Sequence, residues 1–129
     1  MAVQIVSKEP SARFPRSSRL LKHADFQLVY QQAKKSFTGN VTALYRIRVE
    51  DRPGGPRVGF AVGKVVCGAV IRNRIRRRMR AVVRKNLGLL NAPVDVVLHP
   101  RKSVLDLNFV KLDAEIRQLF ATVQKGAAR

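Results

Sequence analysis

The chain has 129 residues, 46% of them hydrophobic, which suits one domain with its own core and argues against wholesale disorder. Its 26 Lys and Arg against 8 Asp and Glu give a net charge of +18, an excess that calls for a polyanionic partner, nucleic acid ahead of an anionic membrane. One cysteine, Cys67, and two distant histidines, His23 and His99, exclude a disulfide framework and a zinc site, no apolar run is long enough to span a membrane, and a cytoplasmic protein is expected.

Residues 1–18 carry Pro10, Pro15, Ser11, Ser17 and Ser18 among scattered basic residues, and read as a flexible basic arm. From Asp25 the pattern is helical, with Phe26, Val29, Tyr30 and Ala33 on one face. In the strand that follows, Val41, Ala43, Tyr45, Ile47 and Val49 alternate with Thr42, Leu44, Arg46 and Arg48. The turn-forming run Asp51 to Pro56 leads to a second strand, Arg57 to Val62, and the two strands are expected to pair as a hairpin.

Residues 69–87 contain neither Gly nor Pro, and Gly88 stands where a helix would stop. Ile71, Ile75, Met79, Val82 and Val83 form its apolar stripe, while eight of the fourteen residues from Arg72 to Lys85 are basic. No acidic residue lies between Asp51 and Asp95 to neutralise them, and Arg dominates over Lys, which suits bidentate phosphate contacts. A solvated, solubilising face would mix signs, so nucleic-acid binding is the stronger reading. Val94 to Leu98 reads as a buried strand, and Asn108 as the cap of a last helix with the stripe Leu112, Ile116, Leu119, Phe120 and Val123. The fold class is α+β: one α/β sandwich over residues 19–124, in the order helix, strands, helix, strand, helix, with residues 125–129 a flexible tail.

The stretch Ala69-Val70-Ile71-Arg72-Asn73-Arg74-Ile75-Arg76-Arg77 resembles the Arg-Asn-Arg signature of the bacterial ribonuclease P protein family. Three flanking motifs match in order: Arg19-Leu20 to Asp25-Phe26, Arg57-Val58-Gly59-Phe60, and Asp95-Val96-Val97-Leu98, so that the resemblance covers roughly residues 19–123. Departures are Gly63-Lys64-Val65 for Ser-Lys-Lys, Cys67 and Ala33 for glycines, and Arg78 for an apolar residue. The resemblance implies a left-handed βαβ crossover, against the usual right-handed rule. It also implies a non-catalytic protein subunit of a ribonucleoprotein endonuclease, in which the RNA subunit, with Mg²⁺, removes the 5′ leader of precursor tRNA by phosphodiester hydrolysis. The implied partners are the RNA subunit and the precursor leader, with no membrane and no small-molecule substrate.

Carried over by position, Arg72, Asn73, Arg74, Arg76, Arg77 and Arg80 would face the RNA subunit. Phe26, Tyr30, Tyr45 and Lys64 would line a cleft for the single-stranded leader, where aromatic side chains stack on bases. Arg19, Lys22 and Arg101 would flank that cleft. The residues by themselves leave Phe26, Tyr30 and Tyr45 open between core and cleft. They supply no catalytic dyad, carboxylate pair or phosphate-binding Gly-rich loop, so neither a protein-borne active site nor a protein-built metal site is expected. The alternative is a ribosomal or other structural RNA-binding protein without processing activity.

Overall fold

A computed structural model of the chain describes residues 14–48, 55–63 and 68–127. Seven main elements follow in order: α1 (His23–Gln32), β1 (Lys34–Phe37), β2 (Val41–Ile47), β3 (Arg57–Phe60), α2 (Ala69–Asn86), β4 (Val94–Pro100) and α3 (Phe109–Ala127). The four strands form one sheet in the order β1-β2-β4-β3.

The run Val94 to Leu98 is apolar on nearly every position, so β4 can be buried on both faces only at the centre of the sheet. It takes that place, antiparallel to β2 and parallel to β3. The hairpin expected between β2 and β3 is therefore absent: β4 lies between them. The parallel β3–α2–β4 unit required by the expected crossover is present.

β1 was not foreseen. It is a short edge strand paired antiparallel with β2, and its exposed Lys34 and Lys35 hide the apolar alternation that marks strands. The turn between the two is held from α3, whose Glu115 accepts from the Asn40 amide side chain at 2.6 Å and from the Asn40 backbone N–H at 3.2 Å.

Strand pleating separates two cores. Val41, Ala43 and Tyr45, with Val94, Val96, Leu98 and Val58, face α2 and α3 and meet Ile75, Met79, Leu112, Ile116 and Phe120. The opposite face carries Leu44 and Val97, which meet Val29, Leu20 and Phe26 from α1 and the segment before it. The stripes expected on α2 and α3 are buried as read, with Ile71 half-buried, and the Asn108 side chain caps α3 by accepting from Lys111 N–H at 2.8 Å. α2 ends at Asn86, just before a short 3₁₀ turn that contains Gly88.

Both expected domain boundaries move outward. Phe14 is buried and meets Phe60 edge-on at 6.1 Å between centroids, so the packed body begins before Arg19. Its neighbours, prolines and serines, give no periodicity from which this could be read. At the other end α3 runs on to Ala127, with Gly126 against Tyr45: a β-carbon there would lie 3.2 Å from the phenol oxygen. The expected arm over residues 1–13 and the last two residues lie outside the described parts of the chain, as do Lys64, Val65 and Cys67.

Candidate RNA interface

The strand register writes three rows of side chains across the face that carries α1. The first is Arg57–Asp95–Arg46, the second Gly59–Val97–Leu44–Lys35, and the third His99–Thr42–Phe37. α1 crosses over the middle row, with the ionic row to one side of it and the His99 row to the other.

Gly59 is a steric requirement in the middle row. A β-carbon there would meet Phe26 Cζ at 2.7 Å and the Leu20 carbonyl oxygen at 2.9 Å. The bare backbone lets the half-buried Phe26 ring lie directly on the sheet. Phe26 is thus part of the small core and also lines a groove of about 220 Å³, shared with Phe14, Arg19, Leu20, Arg76 and Arg80. This groove joins the α1 face to the basic helix, so the two expected RNA surfaces are contiguous.

Tyr30, one turn further along α1, is 41% exposed. Its ring lies 5.8 Å from that of His99, tilted by 54°, and its hydroxyl makes a long hydrogen bond of 3.4 Å to His99 Nε2. Burial lowers the His99 pKa below the ordinary imidazole value and raises that of Tyr30. At neutral pH a neutral imidazole therefore faces a protonated phenol, and the hydroxyl can donate.

Tyr45 does not join them. It is buried in the larger core on the opposite face of the sheet, and the residue of β2 on the α1 face at this level is Leu44. The alternation of β2 already placed Tyr45 with Val41 and Ala43; the positional carry-over was one residue out of step, and a one-residue slip changes faces.

The ionic row anchors α1 and β3. Asp95, fully buried, accepts from Arg57 Nε and Nη2, both at 2.8 Å, and from Arg48 Nη1 at 2.6 Å. Arg57 also reaches Asp25 of α1 at 3.3 Å. These bonds, with that to Asp95 first, hold the Arg57 pKa above its ordinary value. Arg48, read as half-exposed from the strand alternation, is buried because Asp95 receives it.

On α2 the apolar stripe faces the core and leaves Asn73, Arg74, Arg77 and Arg80 exposed, with Arg72 and Arg76 half-buried beside them. Arg76 donates to the Asn73 side-chain oxygen at 3.2 Å. The six residues assigned to the RNA-subunit face therefore spread over the part of one helix that is turned from the core, from Arg76 and Arg80 at the groove round to Arg74 beside Lys102 and Asp106. Arg78 turns away, donating to the Leu107 carbonyl, which removes it from this surface.

The flanking cations divide between two places. Arg19 and Lys22, with Arg16, line a recess of about 440 Å³ before α1, and Arg19 Nε donates to the Phe14 carbonyl at 3.0 Å. Arg101 stands at the far end, beside the β1–β2 turn, where its backbone N–H donates to the Asn40 carbonyl at 2.8 Å. Sequence reasoning missed Arg16 in this recess, the exposure of Phe37 on β1 and the pairing of His99 with Tyr30; only the Tyr30 spacing on α1 pointed toward the last. No described helix is long and apolar enough to cross a membrane.

Residues 14–124 match the family model named Ribonuclease P. The ribonuclease P protein component of Geobacter sp. (strain M21) is 34% identical over 116 residues, 89% of this chain and 96% of that protein. That of Acidothermus cellulolyticus is 34% identical over 105 residues, 81% of this chain and 87% of that protein. Among solved structures, the RNase P proteins of Staphylococcus aureus and Thermotoga maritima superpose with TM-scores of 0.69 each, at 20% and 24% identity. The superpositions cover 83% and 79% of this chain and 95% and 94% of those proteins, and at such identities they speak for the fold alone. The family model and the curated relatives span nearly the whole packed body, and on them the chain belongs to the ribonuclease P protein family.

Proposed function

We propose that this chain is the protein subunit of a ribonuclease P ribonucleoprotein that removes the 5′ leader from precursor tRNA, binding the RNA subunit through α2 and the leader across the α1 face. One observation carries the reading. A helix surface with five exposed or half-exposed arginines from Arg72 to Arg80, and no carboxylate of its own, adjoins through a groove a surface bearing Phe26 and Tyr30. Arginine forks suit the phosphates of a folded RNA, whereas aromatic faces beside cations suit the bases of an unpaired strand. A structural RNA-binding protein would need the first surface only.

The chain's own residues do not fit a metal site at this interface. Among the described residues no three His, Cys, Asp or Glu side chains converge, and Asp25 and Asp95 already bind arginines. In this reading Mg²⁺ acts with the RNA subunit, which carries out hydrolysis of the phosphodiester. The protein's work is binding: α2 neutralises RNA phosphates, and the α1 face holds the leader so that the junction is presented in one position.

Reconstitution tests this. The purified chain alone is expected to leave precursor tRNA uncut. Adding a bacterial ribonuclease P RNA at low Mg²⁺ is expected to give cleavage at the 5′ end of the mature sequence, faster than that RNA achieves alone. Cleavage by rigorously RNA-free protein, or no effect of the protein on the RNA, would contradict the proposal.

A further inference from the structure

The third row of the α1 face ends in an unexplained residue. Phe37 is 70% exposed on the edge strand β1, on the same face of the sheet as Thr42 and His99. A large aromatic ring open to water on a sheet edge is a liability for a monomer unless something binds it. α1 packs chiefly on β2 and β4, and Lys35 and Phe37 of β1 stay exposed on this side.

We propose that Phe37 is a second stacking station for single-stranded RNA, extending the Tyr30–His99 surface across Thr42 to the edge of the sheet. The proposal rests on the α1 face being the leader surface, and it adds a longer footprint than the cleft residues alone require. Phe37 stands two strand spacings from His99, about 4.8 Å each, so the two rings engage different bases of one strand rather than sandwich a single base. Lys35 lies on the same face in the adjacent row, and Arg101 flanks the β1–β2 turn, its guanidinium 3.5 Å from the Gly39 carbonyl. Both are placed to take the phosphates between the stacked bases. A protein occupant is disfavoured by this cationic rim, which suits a polyanion crossing the edge.

The test uses the assembled ribonucleoprotein and precursor tRNAs whose leaders are shortened one nucleotide at a time. For the unaltered protein, affinity should rise in steps with leader length. Phe37→Ala should match it on the shortest leaders and lose the outermost step, about five- to hundredfold in affinity. Phe37→Trp should keep that step, since stacking needs a ring and not this particular one. Equal affinities for Phe37→Ala and the unaltered protein on every leader would overturn the proposal. So would equal weakening toward mature tRNA, or a change only in self-association of the free protein. If the unaltered protein shows no dependence on leader length at all, the leader surface itself is wrong; a dependence that Phe37→Ala retains removes Phe37 alone.

Discussion

Asp95→Asn is expected to destabilise the fold by about 3–5 kcal/mol, the range for breaking a buried ion pair by removing one charge. The substitution conserves shape, so no cavity enters the comparison. What changes is that Arg48, whose side chain is 3% exposed, and Arg57, at 21%, lose the carboxylate to which both donate. Asp25 still faces Arg57 on one side, while Asp95 joins Arg57 to Arg48. A loss of this size is a large part of the 5–15 kcal/mol that holds a typical domain together. Urea unfolding midpoints of the two proteins measure it directly. A difference below about 0.5 kcal/mol, the scatter of neutral surface changes, would show that the ionic row does not anchor α1 and β3.

The second large effect concerns the exposed side of α2. Each phosphate neutralised contributes about −0.7 to −0.9 to the slope of log affinity against log salt. Replacing Arg74, Arg77 and Arg80 together with Ala removes three exposed cations and should flatten the slope for the RNA subunit by roughly two to three units. Between about 50 and 200 mM salt the unaltered protein should then lose roughly 20- to 40-fold more affinity than the triple variant. Since all three side chains point away from the core, the melting temperature should barely move. An unchanged slope in a folded triple variant would return this side of the helix to a solvated surface.

Helices were the most legible part of the fold, and the stripe of α2 illustrates why. Ile75, Met79, Val82 and Val83 are separated by cations at every position but Ala81, so the 3.6-residue period stands out even in a highly basic segment. Strand partners were less legible. Period two assigns a face to a residue but not a neighbour to a strand, and the hairpin reading failed because β4 takes the centre that its apolar run demands. Of the expected RNA-facing residues, those on α2 could be grouped from the sequence because one helix carries them all. The proposed leader surface is assembled from α1, β1, β2 and β4, and a surface drawn from four elements cannot be read without the register. This is why Tyr45 was placed on the wrong face and Phe37 and His99 were not assigned to the surface.

The measurement that bears most directly on the proposed function is the affinity of the assembled ribonucleoprotein for precursor tRNA relative to mature tRNA, with and without Tyr30→Ala. Tyr30 is 41% exposed and makes one long hydrogen bond, so its removal leaves the core intact. Phe26 would be a poorer probe, because its ring also packs over Gly59 and its loss would unsettle α1. Stacking on one base is worth about 1–3 kcal/mol. Tyr30→Ala should therefore weaken precursor binding by roughly five- to hundredfold, leave mature tRNA binding unchanged, and leave the melting temperature close to that of the unaltered protein. An unchanged preference for precursor over mature tRNA, or equal loss toward both, would contradict a leader surface on this face.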